Sequence, residues 1–469
     1  MVLLDAAGVI GRNALLYNFK EEAIDMAERK GLLVLLFLCL VFVLSACGGG
    51  AAKNADKGTV EKETVLSSEE EAARVANSKL ELVFLYPPSG TEEIFMSRFG
   101  DRLQKKFPQY KLTFIPRQSD NYAALLGSKQ PIDIMIVSLN TTGTYLTGMG
   151  LESDISDLIK KYNYDLTKIE PSLIEIQRRM ANGGIYGLPY TPGAMTFLYN
   201  KDLFDKFGVP YPRDGMTWDE VYELARRMTR TDGGIQYKGI AFGFASVIRS
   251  NQLSAPYFDP KTNKAMFTAD AFVQSFTNIA RFYKIPGMEL PNNKYSEQAD
   301  QFLKDQTVAM MIHTGGYVTR AAEALKNWDI ATIPTLKEKP GVSLQAGPDY
   351  MYITNRSAQR DAAFQVLSYI TSEEYQEWMA GNLAFVPVLK ESKKAMQSFG
   401  ANLPGIQGKN VQALIQSYAP MSLASPFTAN ANSEMNNALN AFSAGKDVNT
   451  ALREAAERVD KLIEQEMKK

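Results

Sequence analysis

IYGLPYTPGAMTFLYNKDLFDKFGVPYPRDGMTWDEVYELARRMT, residues 185–229, carries the reading on which the fold turns. Pro189 and Pro192 flank Tyr190 near its start, and their fixed φ stiffens this passage of the chain. Asn200 stands in position to cap a helix beginning near Lys201. Farther on, Thr217-Trp218-Asp219-Glu220 forms a capping box, in which a threonine and a glutamate three residues apart satisfy two exposed amides at a helix start.

Toward the N-terminus, from Lys79, apolar and amphipathic stretches alternate. LELVFLY (80–86) is followed by an amphipathic stretch from about Glu92 to Phe107, then KLTFIP (111–116), YAALLG (122–127) and IDIMIVS (132–138). Alternating strand and helix units of this kind build an α/β sheet. Ligands of such sheets lie beyond the carboxyl ends of the strands. The turns Pro87-Pro88-Ser89-Gly90-Thr91 and Ser138-Leu139-Asn140-Thr141 are therefore the first places to look for contacts. Ser89 or Thr91 is equally suited to cap the next helix, so both readings stand.

Toward the C-terminus the chain reads FLKDQTVAMMIHTGGY (302–317), then Asn327–Pro334, Pro348–Ser357 and a helix over 361–371. Together with residues 185–229 these segments resemble the extracellular solute-binding proteins of the sugar-binding type. In that likeness the Gly-x-Pro segment at 187–189 crosses to a second lobe and Tyr199-Asn200-Lys201-Asp202-Leu203-Phe204 opens its sheet. Residues 302–317 resemble a helix, an Ala-Met strand and a Gly-aromatic turn, and 327–334 the strand that returns. Residues 348–357 with the helix 361–371 look like the re-entry, and Ser372–Trp378 like the helix start after it. Helices from about Glu434 to Ala444 and Val448 to Met467 complete a match that covers nearly everything from Lys79.

The resemblance implies an α/β, two-lobed fold like that of periplasmic binding proteins (type II, Venus flytrap), with hinge-linked lobes closing on a ligand. The expected segments are 79–190 for the first lobe, 191–345 for the second, 346–400 for the first again, and 401–469 for the C-terminal helices of the second. Closure requires a solute that touches both lobes, so that the closed state gains contacts the open one lacks. The implied activity is capture of a small solute, a mono- or oligosaccharide, and its delivery unchanged to the membrane subunits of an ABC importer. A solute-sensing lipoprotein on the same body is the alternative.

Sugars are held by aromatic faces and by fans of hydrogen bonds. The expected ligand-binding residues are Ser89, Gly90, Thr91, Ser138, Asn140, Tyr190, Gly315, Tyr317 and Asp349. Tyr317 follows Gly315-Gly316 where relatives often place an aromatic platform. Tyr190 and Asp349 sit at lobe crossings, and each has two readings, ligand contact or hinge packing. Trp218, Trp328 and Trp378 read as packing residues. Residues 429–432 are Ala-Asn-Ala-Asn where some oligosaccharide-binding relatives carry a tryptophan, which weakens the case for a long maltodextrin-like ligand.

Other chemistries find little purchase. Lys+Arg 51 against Asp+Glu 52 gives no electrostatic reason to expect nucleic acid. The two cysteines, Cys39 and Cys47, both precede the body, which thus has no thiol, disulfide or thiolate metal site. His313, the one histidine, follows an apolar run and reads as a core or strand-end residue rather than a metal ligand. DPKTNKAMF (259–267) places lysines where a calcium loop needs oxygen donors, so a hairpin turn is expected. No cofactor or metal is expected, and a non-enzymatic monomer is the reading; a glycan-cleaving enzyme using paired carboxylates is the rival.

The run GLLVLLFLCLVFVLSACGGG (31–50) begins directly after Arg29-Lys30 and ends in small residues, the layout of a signal peptide. Its apolar part is shorter than the ~20 residues a stable membrane span needs. Leu44-Ser45-Ala46-Cys47-Gly48 resembles a lipobox, which implies that Cys47 carries a diacylglyceryl anchor on the outer face of the cell membrane, in a Gram-positive-type envelope. Residues 1–25 contain Glu21, Glu22 and Asp25 and read as an over-extended start, with the leader at 26–46 beginning MAERKGLL. Residues 47–78, rich in Gly, Ala, Lys and Glu, read as a flexible tether.

Overall fold

The computed structural model describes residues 67–87, 90–115, 125, 127–289 and 297–468; the leader, Cys47 and Ser89 lie outside them. Ser68–Lys461 forms one compact unit. The strands in chain order are β1 (Leu80–Leu85), β2 (Tyr110–Ile115), β3 (Ile134–Ser138), β4 (Gly187–Thr191), β5 (Met195–Asn200), β6 (Arg230–Asp232), β7 (Ile235–Phe242), β8 (Val308–Thr314), β9 (Trp328–Ala331), β10 (Val342–Ser343), β11 (Asp349–Ile353) and β12 (Ser417–Tyr418). They form two five-stranded sheets, ordered β2-β1-β3-β11-β4 and β6-β7-β8-β5-β9, and a short β10-β12 pair.

β1 runs parallel to β2 and β3, whereas β11 runs antiparallel to both β3 and β4. IMIV at the start of β3 is buried residue by residue, as expected of a strand covered on both faces. The helix Arg360–Ile370 buries Phe364 and Leu367 in the core that also holds Phe84, Ile136 and Tyr352. Truncating such a side chain to alanine costs about 2–5 kcal/mol. In the second sheet β7 is parallel to β8, and β5 is antiparallel to its neighbours β8 and β9. The apolar VAMMI of β8 is buried there.

The chain passes from one sheet to the other between β4 and β5, and again between β9 and β11. The two passages meet at a pair of glycines. Gly193 has φ +58°, and a Cβ on it would lie 2.0 Å from the Gly347 carbonyl oxygen. Only glycine tolerates both the left-handed backbone and the close approach.

Two local expectations need correction. The tether expected to reach Ser78 ends sooner, because SEEEAARVA forms the helix Ser68–Ala76, with Glu69–Glu71 in its first turn and Val75 buried. Acidic residues at the helix start complement its dipole, and the Tyr110 hydroxyl donates to the Val75 carbonyl at 3.0 Å. The amphipathic stretch from Glu92 is helical to Lys106 as expected, with a π turn over Met96–Gly100. Asn200 occupies the cap position of the helix Lys201–Phe207 without a side-chain cap bond, because the side chain is buried in β5 with Oδ1 unpartnered. The capping box at Thr217 and Glu220 is present, heading the helix Trp218–Met228.

Candidate functional site

The carboxyl ends of β3 and β4 and the amino end of β11 fall in one row. Asp349 is paired with Ser138 on one side and with Thr191 on the other, and the register shifts between Asp349 and Tyr350. Such a bulge re-aims the side chain beside it. The Asp349 carboxylate accepts from the Tyr190 hydroxyl at 3.2 Å, and Ser138 is its partner on the neighbouring strand. Behind it the Tyr190 and Tyr86 hydroxyls are 3.3 Å apart, and the Arg98 guanidinium donates to Tyr86 at 3.0 Å. Burial pushes the Asp349 carboxyl up to about 6, with the Tyr190 and Ser138 hydroxyls and the charge of Arg98 pulling against it. Arg98 comes from the π turn, a geometry often found where a helix serves a site.

Asn140 lies in the first turn of the helix Leu139–Tyr145, its amide donating to the Ser138 hydroxyl at 3.4 Å. The Leu139 amide donates to the Pro348 carbonyl at 2.8 Å, tying this turn to the returning passage.

The second sheet supplies the facing wall. Met195 at the start of β5 pairs with Thr314 at the end of β8. Gly315 and Gly316 follow, and the helix Tyr317–Ala324 begins with Gly316 as an N-cap that brings no side chain. Arg249 ends the helix Phe244–Arg249 and precedes Ser250. Its Nη1 donates to Asn432 Oδ1 at 3.4 Å, and the Tyr257 hydroxyl donates to the same oxygen at 3.1 Å. Ala384, Phe385, Val386 and Leu414 complete the lining, with the Arg98 guanidinium 5.3 Å from the Phe385 ring centre.

These walls enclose a cavity of about 300 Å³, at the small end of the ~300–1,000 Å³ typical of ligand clefts. Of the residues expected from sequence, Ser138, Asn140, Gly315 and Asp349 line it together. Tyr190 stands behind Asp349, fully buried. Thr91 caps the helix Glu92–Phe95, its hydroxyl accepting from the Ile94 amide at 3.2 Å. Gly90 lies so close to Tyr86 that a Cβ would come within 2.4 Å of the ring. Tyr317 turns its ring to His313, 3.9 Å between centres, with the Arg320 guanidinium 4.8 Å away. None of these four lines the cavity.

The sequence reading does not single out Arg98, Arg249 or Phe385. Arg98 sits in an amphipathic helix where a solvated face is the ordinary expectation. Arg249 carries a fainter signal, a cation closing the otherwise apolar FGFASVIR (242–249).

The three tryptophans lie away from the cavity. The Trp218 indole donates to Gln252 at 2.6 Å, Trp328 is wholly buried, and Trp378 packs under the Arg102 guanidinium at 5.0 Å. His313 lies within β8, where Nδ1 accepts from the Thr314 amide at 2.9 Å; burial, then the charge of Arg320, lowers its pKa to about 4. Asp259 accepts from the Lys261 and Thr262 amides, and Phe258 bridges Ala265 antiparallel, which makes that segment a turn. Among the described residues no cluster of His, Cys, Asp and Glu is arranged to hold a metal, and no helix is long and apolar enough to cross a membrane.

Comparison with known proteins bears on these features. Residues 88–377 match the family model of bacterial extracellular solute-binding proteins. An sn-glycerol-3-phosphate-binding periplasmic protein of Rhizobium meliloti (strain 1021) is 22% identical over 309 residues, 62% of this chain and 70% of that protein. An arabinooligosaccharide-binding protein of Halalkalibacterium halodurans is 23% identical over 270 residues, 53% of this chain and 60% of that protein. Among solved structures, an ABC substrate-binding protein of Listeria monocytogenes in complex with cycloalternan superposes with a TM-score of 0.62 at 17% identity, covering 82% of this chain and 99% of that one. That likeness is one of fold, a two-lobed α/β binding protein.

Proposed function

The chain belongs to the bacterial extracellular solute-binding protein family, and from that premise we propose that it captures a small hydroxylated solute between its two sheets and hands it unchanged to an ABC importer. The observation that carries this reading is the make-up of the cavity, whose lining comes from both sheets and from both passages between them. A solute that bridges Ser138, Asn140 and Asp349 on one wall and Thr314, Gly315 and Ser250 on the other gains contacts only when the walls are close. That difference in affinity is what couples binding to closure. The glycine pair at 193 and 347 is the natural pivot.

The ligands named for the relatives are a glycerol phosphate, arabino-oligosaccharides and a cyclic oligosaccharide, all rich in hydroxyls. Hydroxyl and carboxylate acceptors with backbone amides suit that chemistry. Asp349 is the single carboxylate among the lining residues, whereas glycan hydrolysis uses a pair; binding without catalysis is therefore the reading. We add that Cys47 carries the lipid that keeps the body at the outer membrane face, on the strength of the leader's layout.

A thermal denaturation series against sugars, polyols, their derivatives, amino acids and peptides tests the assignment. A ligand at a hundred times its dissociation constant adds ~2.7 kcal/mol. The expected outcome is stabilisation by a hydroxylated compound, and stabilisation by peptides or amino acids alone would overturn it. Cys47→Ala is expected to release the protein from membranes; normally lipidated material from that variant would refute the anchor.

A further inference from the structure

Resting on the reading of the cavity as a solute site, we infer that its cargo is a polyol or sugar bearing an oxyanion, a phosphate ester or a carboxylate, received by Arg249. Three lining residues are charged: Arg98, Arg249 and Asp349. Arg98 and Asp349 are tied through Tyr86 and Tyr190, and the Asp349 carboxyl feels the charge of Arg98. They offset one another within the first wall. Arg249 is left over, and the cavity holds one net positive charge.

The surroundings of Arg249 leave that charge unanswered. Arg249 is partly buried with its Nε shielded from solvent, and burial disfavours the charged form, yet a guanidinium does not give up its proton in a protein. Among the described residues it forms no ion pair; its side-chain bond is the long one to Asn432, and Nε has no acceptor. A partly buried cation without a counter-ion is costly, and an anion entering the cavity relieves the cost. The guanidinium fork matches two oxygens of a phosphate or carboxylate.

Two further features agree. The helix Tyr317–Ala324 starts at the same wall, with its N-cap Gly316 open to the cavity and without a capping side chain, and a helix N-terminus favours negative charge. Asn432, in the stretch where a tryptophan would favour a long oligosaccharide, instead orients Arg249. Phe385 is the one aromatic side chain in the lining, and Arg98 already covers it. A small cargo with a charged end fits this wall better than a stacked chain of sugar rings.

Calorimetric titration of the purified protein with matched pairs tests the inference: glycerol and glycerol 3-phosphate, glucose and glucose 6-phosphate, glucose and glucuronate, with inorganic phosphate alone as a further arm. In at least one pair the anionic member is expected to bind roughly thirtyfold tighter or more. Arg249→Gln should erase that preference while Arg249→Lys restores part of it, and the phosphate and uronate arms tell the two oxyanions apart. Neutral members binding as well as their anionic partners would overturn the inference and leave the proposed function standing. Inorganic phosphate binding as tightly as any ester would also overturn it, because the hydroxylated body would then contribute nothing. If no member of any pair binds while amino acids or peptides do, the proposed function fails and this inference with it.

Discussion

The two walls of the cavity are finished to different degrees. On the first, Asp349 receives a hydrogen bond from Tyr190, and a relay of hydroxyls links it to Arg98. On the second, Arg249 has one long bond and an unsatisfied Nε, and the glycines at 315 and 316 offer backbone rather than side chains. The first wall is thus organised before any solute arrives, whereas the second is completed by what binds to it. Preorganised polar groups lower the cost of capture, and unsatisfied ones supply the differential affinity that closure needs. A binding protein of this kind needs both.

The contrast can be broken at several points. The largest effect is expected where the passages between the sheets touch. Gly193→Val forces a branched side chain into a left-handed backbone and against the Gly347 carbonyl, which should cost about 4 kcal/mol in urea denaturation. A loss below 1 kcal/mol would mean that the passages part easily and that the glycine pair is no pivot.

Next comes the relay of the first wall. Tyr190→Phe removes the hydroxyl between Tyr86 and Asp349, and about 2 kcal/mol of stability should go with it. An unchanged midpoint would show that the relay is idle.

Asp349→Asn should act in the opposite direction. The folded carboxyl titrates near 6, above its unfolded value, so the native state holds more protons than the unfolded chain between pH ~4 and ~6. Stability contributed by this group is therefore greatest in acid and is lost as pH rises through that window. The asparagine removes the dependence while keeping an acceptor for Tyr190. Because the residue faces the cavity, where water screens part of the charge, the gain at pH 7 should be roughly 1–2 kcal/mol. A variant that is less stable than the parent at pH 7 would contradict the burial argument.

The smallest effect is expected on the second wall. Arg249→Met should change the stability of the empty protein by no more than about 0.5 kcal/mol, or raise it, because the charge it removes has no counter-ion. A clear loss would mean that Arg249 is structural and that the walls do not differ as described.

Much of the fold is legible in the chain because its signals are local. The capping box at Thr217 and Glu220 needs only four residues in a row, and the strand-like runs of β1 and β3 need only their own apolar side chains. Ser138 and Asn140 are legible for a related reason, since strand ends are where α/β sheets place ligands. Tyr190 and Asp349 are visible as crossing residues, but which of them faces the cavity depends on a bulge between neighbouring strands, and no local pattern encodes it. Tyr317 follows two glycines at a strand end, yet the helix it opens turns its ring toward His313. Arg98 and Arg249 are the least legible. Their meaning lies in charges that reach them from elsewhere in the chain, or fail to.

The central claim is that one solute is held by both sheets at once, and hydrogen–deuterium exchange tests it most directly, using whichever compound gives the largest thermal stabilisation. Saturation with that compound should slow amide exchange both around Ser138–Asn140, beside β3, and around Thr314–Val318, beside β8. Slowing confined to one of these segments would mean that the solute rests on a single wall, and the account would be wrong.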